Sequence, residues 1–251
     1  VVTGDFDTPE GALDKLEVPY TVIEAFHANG PRYEGYEPDY AWEELDIPVE
    51  SFLADGVGMT EYDLIFLSCG MRGVGAQVYN DATQPDDQLV ADEAVVENLR
   101  HFVEMGGYVY ATDWTYDLIE AAFPDAIDFL GEDLDLDAAQ LGEPQTINGR
   151  VLEEGLQQHL GMTADSNEVE VVFRFDSWSV IESVGDGTEV LLEGDILYRD
   201  GADHVVLPDS PLLVSFGYGN RDGKVIYTPF HTVAQITTDV QDIINYLVLQ
   251  L

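Results

Sequence analysis

Three short apolar runs constrain the fold of this chain more than any other feature. They are YDLIFLS at 62–68, YVYAT at 108–112 and KVIYT at 224–228. Runs of this length that lack polar alternation suit strands buried on both faces. Between the first two, residues 92–105 place Val95, Leu99, Phe102 and Val103 on one helical face, and Gly106-Gly107 ends the helix. A second helix follows YVYAT over 115–123 and stops at Pro124. Strands alternating with helices in this way predict parallel βαβ units.

The flanking segments read less regularly. Val1-Val2-Thr3 looks like the end of a strand, Pro9 opens a short helix over 9–16, and 19–26 is rich in strand formers. Residues 27–48 read as an irregular connection, 51–55 as a helical turn and 71–88 as a loop with Gly73, Gly75 and Pro85. The middle of the chain changes character, with an acidic stretch after 125 and a helix near 152–160. Strand-like runs follow at 170–175, 177–181, 189–192 and 212–216. A closing helix over 238–249 aligns Val240, Ile243, Ile244 and Leu247.

Charge narrows the function. Fifty Asp and Glu face nine Lys and Arg, a formal net charge of −41. A field this negative excludes nucleic acid and anionic membrane surfaces, which need basic patches. No apolar run approaches the roughly 18 residues of a membrane span. The acids are scattered and lysine occurs only at Lys15 and Lys224, the pattern of a solvated surface adapted to high salt. The single cysteine, Cys69, excludes an internal disulfide and a cysteine-rich metal site. The chain opens on Val1 without Met, which reads as processed or trimmed; a removed signal peptide is compatible, and the compartment stays unassigned.

Three segments, in order, resemble the class I glutamine amidotransferase-like superfamily, particularly its ThuA-like and uncharacterised branches. YDLIFLSCG resembles the strand entering the oxyanion loop. GGYVYATDWTYDLIEAAF resembles the strand, elbow and helix that carry the nucleophile, and GKVIYTPFHTVAQ the late strand that presents the histidine. The resemblance covers about 1–124 and 210–251. It implies an α/β fold: a flavodoxin-like three-layer sandwich with a mostly parallel sheet and a β-rich insertion. On this reading 1–251 is one amidotransferase-like domain and 125–209 the insertion. Asp113 falls at the nucleophile position and His231 at the histidine, while Val233 replaces the expected glutamate. Thr115 replaces a glycine and crowds the elbow. A carboxylate cannot replace a thiolate in thioester chemistry, so amidotransfer is not expected.

Ligands of open parallel sheets bind beyond the carboxyl ends of the strands. That rule gathers Asp5, Asp7, Cys69, Arg72 and Trp114 as ligand-binding candidates, and Asp113 with His231 as an acid–base pair if the protein is an enzyme. The same His–carboxylate pair could instead be structural. Cys69 reads as a buried small side chain rather than a reactive thiol. Asp133, Asp135 and Asp137 alternate like EF-hand ligands, but Ala138 and Pro144 stand where glycine and glutamate are required. His27, His101, His159 and His204 lack zinc-motif spacing. The reading therefore assigns no cofactor and no metal ligand, while leaving room for a divalent cation among the carboxylates.

Two functions follow. One is an amidotransferase-like protein without amidotransferase activity that binds a small polar ligand or a protein partner. The other is a hydrolase or sugar-modifying enzyme using Asp113 and His231. The salt reading is directly testable: the Tm should rise steadily as KCl or NaCl is added to molar concentration, because screening relieves self-repulsion. A flat or falling Tm would refute it.

Overall fold

The computed structural model describes residues 1–26, 45–74, 88–132, 136–163, 166–231 and 238–249. Helices α1 (Glu10–Lys15), α2 (Val49–Ala54) and α3 (Gly56–Met59) precede strand β1 (Leu64–Leu67). Then come α4 (Gln88–Ala91), α5 (Glu93–Glu104), β2 (Tyr108–Thr112), a 3-10 turn (Asp113–Thr115) and α6 (Tyr116–Ala122). The middle supplies β3 (Ile127–Phe129), β4 (Gln145–Val151), α7 (Glu154–His159), β5 (Glu168–Phe173) and β6 (Ile181–Val184). It continues through β7 (Thr188–Asp200) and β8 (Asp203–Gly217), and β9 (Lys224–Thr228) with α8 (Thr238–Leu249) completes the order. No helix among these residues is long and apolar enough to cross a membrane.

The α/β class holds, but the expected mostly parallel sheet does not. The seven-stranded sheet runs β1-β2-β9-β8-β7-β4-β5, and only the β1–β2 and β2–β9 pairs are parallel. The other four pairs are antiparallel. The parallel part is where the three apolar runs lie. The middle segment adds its strands to the same sheet through β8, and β3 with β6 forms a separate antiparallel pair. Register shifts in the β7–β8 hairpin, such as that between Gly194 and Ile196, curl the sheet, since extra residues on one strand bend it.

Alternation along the central strands builds a core on each face. Ile65, Leu67, Val109, Ala111, Val225 and Tyr227 pack with the apolar stripes of α5 and α6. Phe66, Tyr110 and Ile226 point the other way, into a core shared with Leu13 of α1 and Ile243 and Ile244 of α8. The side chain of Asp92 caps α5 by accepting from Ala94 N at 2.9 Å, and Val95, Leu99 and Phe102 are buried as the periodicity predicts.

Two local expectations change. Segments 1–3 and 19–26 form only isolated parallel bridges, Val2 to both Leu67 and Ile23 and Glu24 to Pro48, rather than full strands. Strand β4 and the outer halves of β7 and β8 had no counterpart in the apolar pattern, because charged residues such as Glu193, Asp195 and Arg199 interrupt it. Most of the proposed 27–48 connection and 71–88 loop lies outside the described residues.

One backbone approach ties the N-terminal loop to the end of β1. A Cβ on Gly4 would lie 2.2 Å from the carbonyl oxygen of Cys69 and 2.7 Å from that of Ser68. Only glycine lets these two chains pass. Gly4→Ala should therefore cost on the order of 1–3 kcal/mol or more, read by urea denaturation, because the obstacle is backbone that cannot rotate away.

Candidate functional site

The site is built at the carboxyl end of β2. Thr112 is extended, Asp113 turns into the left-handed region at φ 39°, and the 3-10 turn leads into α6. A non-glycine residue held there costs about 1–2 kcal/mol, with Asp among the better tolerated types. The elbow forms in spite of Thr115, whose hydroxyl turns back to donate to Thr112 O at 2.9 Å.

Donors from neighbouring segments compensate for the strained residue. Ser179 donates its backbone N–H (2.7 Å) and its hydroxyl (3.0 Å) to Asp113 Oδ1. His231 Nε2 lies 2.7 Å from Asp113 Oδ2. The Tyr227 hydroxyl is 2.7 Å from the Asp113 carbonyl oxygen and 2.5 Å from Ser179 Oγ, so its one proton serves a single acceptor at a time. Asp113 and His231 are buried, at 1% and 2% exposure. Burial pulls the His231 pKa down, but the charge and hydrogen bond of Asp113, helped by Asp7, outweigh it and hold the value above the ordinary range.

Cys69 completes the cluster, with Sγ 3.6 Å from Asp113 Oδ2. Its backbone N–H is shared between Asp7 Oδ2 at 3.0 Å and Thr112 Oγ1 at 2.8 Å, and the Thr112 hydroxyl in turn donates to Asp7 in a short bond. Burial, then the charges of Asp113 and Asp7, push the thiol pKa well above its usual value. Cys69 is thus a protonated thiol and not a standing nucleophile.

Cys69, Asp113 and His231 line one end of a cavity of about 280 Å³. Phe6, Trp114 and Phe175 wall it, with Asp176 and Ser177 at the side. The Phe6 ring meets Trp114 at 6.1 Å and Phe175 at 5.6 Å, both edge-on. Trp114 is held by its Nε1–H, which donates to Ser177 O at 2.6 Å. The cavity therefore has rigid aromatic sides and a polar end, the usual composition of a small-molecule site.

The predicted residues divide. Asp113, His231, Cys69 and Trp114 converge at the cavity. Asp7 supports Cys69 from behind, and Asp5 is buried outside the lining. Arg72 lies elsewhere: its guanidinium is clamped by Glu24 at 2.8 Å and Glu50 at 2.6 Å and is outside the lining. Its charge is consumed within the N-terminal half, because in so acidic a chain carboxylates capture the few cations. Phe6, Phe175, Ser177 and Ser179 were missed. No spacing in the sequence ties Ser179 to Asp113, 66 residues earlier.

Asp133 and Asp135 of the EF-hand-like run lie outside the described residues. The side chain of Asp137 accepts from Gln140 Nε2 at 2.8 Å, and its backbone N–H is directed at the buried carboxylate of Asp117. Burial first, then the Asp137 charge, raises the Asp117 pKa from 3.8 to about 7. A group that holds its proton more tightly when folded loses stability as the pH rises from about 4 to 7. Asp117→Asn should remove that slope, gaining on the wild type between pH 4 and 8 in denaturant titrations.

No family model matches the sequence, and no curated protein matches it. Among solved structures, SMU.1228c aligns over 99% of this chain and 97% of its own, with a TM-score of 0.50 and 11% identity. The cytoplasmic protein STM3548 from Salmonella typhimurium aligns over 82% of each chain, at 0.45 and 15%. A putative ThuA-like protein from Bacteroides uniformis aligns over 81% of this chain and 75% of its own, at 0.44 and 14%. At such identities the likeness is one of fold.

Proposed function

We propose that this chain is an amidotransferase-like protein that binds a small ligand in the cavity at Asp113 and does not perform amidotransfer. On this reading 1–251 is one domain and 125–209 an elaboration of it that roofs the pocket. The carrying observation is the elbow itself. A carboxylate with both oxygens engaged occupies the position where the chemistry needs a thiolate, and the one thiol nearby is buried and protonated. The ligand is small and combines a flat or apolar body for the Phe6, Trp114 and Phe175 walls with a polar group for the Asp113 end. The dense surface acidity is, in the same reading, an adaptation to salt.

Saturation-transfer NMR with a panel of sugars, polyols and small carboxylates tests this. At least one probe should bind and change Trp114 fluorescence. Phe175→Trp, which enlarges a wall ring, should weaken that probe at least tenfold. A folded protein that binds none of the panel, or a probe indifferent to Phe175→Trp, would sink the reading. Glutamine should yield no ammonia above the uncatalysed rate.

A second reading, hydrolysis by an acid–base pair, is favoured by one observation. His231 Nε2 and Asp113 Oδ2 stand at 2.7 Å with both residues lining the cavity. If it holds, Asp113→Asn keeps its circular dichroism spectrum and loses roughly 10²-fold or more in turnover of a responsive ester or glycoside.

A further inference from the structure

We infer that Cys69, Asp113 and His231 form a binding site for one divalent transition-metal ion, zinc being the best match. One donor atom from each side chain lies within 4.8 Å of the other two, and all three residues are buried. The geometry is close to that of a bound state. With Zn–S near 2.3 Å and Zn–O near 2.1 Å, a tetrahedral centre sets its sulfur and oxygen ligands about 3.6 Å apart. Cys69 Sγ and Asp113 Oδ2 already stand at 3.6 Å. His231 Nε2, at 2.7 Å from the same oxygen, must draw back by roughly 0.7 Å to make room.

The surrounding bonds suit that role. Ser179 fixes Asp113 through Oδ1 and leaves Oδ2 for the ion. Asp7 and Thr112 fix the backbone of Cys69. Outer partners of this kind orient metal ligands and raise affinity. Zinc entering here displaces the thiol proton of Cys69 and the proton between His231 Nε2 and Asp113, and both protons leave to solvent. Zn²⁺ with a thiolate, a carboxylate and a neutral imidazole sums to zero charge, which a buried site tolerates best. The thiolate and imidazole favour zinc over the harder calcium and magnesium, which exposed carboxylates bind. The cavity adjoins all three ligands, so the fourth position is open to water or to a ligand. The ligands are 44 and 118 residues from Asp113, which is why no zinc motif appears in the sequence.

Cobalt(II) is the probe, because its spectrum separates this site from surface carboxylates. The full chain, stripped with a chelator and titrated with Co²⁺ alone, should develop a near-ultraviolet thiolate charge-transfer band and the visible bands of a tetrahedral ion. The signal should saturate at one equivalent and disappear on adding Zn²⁺. Cys69→Ala should abolish the charge-transfer band, and Ser179→Ala should weaken cobalt binding about tenfold. Circular dichroism establishes that each variant is folded. Folded wild type without the thiolate band, or a band that survives in Cys69→Ala, overturns the inference. The metal site stands apart from the small-ligand reading: cobalt binding with no organic probe bound would retain the one and remove the other.

Discussion

The site depends on a buried carboxylate held in a backbone conformation that an L-residue avoids. Asp113 sits at φ 39° because the chain must turn sharply from β2 into α6. A carboxylate taken out of water is costly unless its oxygens find donors. Ser179 supplies two donors to one oxygen, and His231 and Cys69 supply the other. Those donors come from three separate parts of the chain, so satisfying Asp113 draws the middle segment, the end of β9 and the end of β1 to one point. The cavity is what remains in front of them once Trp114 is anchored to Ser177.

The parallel core explains why that point lies where it does. β1, β2 and β9 run side by side in register, so their carboxyl ends emerge together and present Cys69, Asp113 and His231 on one edge. The antiparallel strands complete the site differently. They bring the loop carrying Phe175, Ser177 and Ser179 over the same edge as a wall and as second-layer support. The turn after β2 thus gathers a carboxylate, a protonated thiol and an imidazole.

Surface charge acts on the molecule in a different way. With so few cations, some arginines are drawn into carboxylate clamps: Arg72 between Glu24 and Glu50, Arg150 beside Glu193 and Asp209. This is why a guanidinium placed at a strand end by sequence order does not reach the cavity. Local competition among charges decides its direction, and that competition depends on which segments become neighbours.

The central strands, the α5 and α6 helices and the convergence of Asp113, Trp114, Cys69 and His231 were legible from residue order alone. Apolar run length and helical period report burial directly, and strand ends in a parallel sheet share an edge. In the antiparallel half several strand-like runs were legible, at 170–175, 189–192 and 212–216, but not how they pair, because that pairing is set by contacts distant in sequence. Phe6, Phe175 and Ser179 escaped notice for the same reason, since nothing local marks a residue whose role begins when another segment arrives. Sequence by itself determined that this chain folds around a buried parallel core and carries a carboxylate, Asp113, at the turn after β2. Tertiary structure alone decided that the carboxylate there bonds a histidine and a thiol beside an aromatic-walled cavity, because those distances exist only after burial has paired the donors with Asp113.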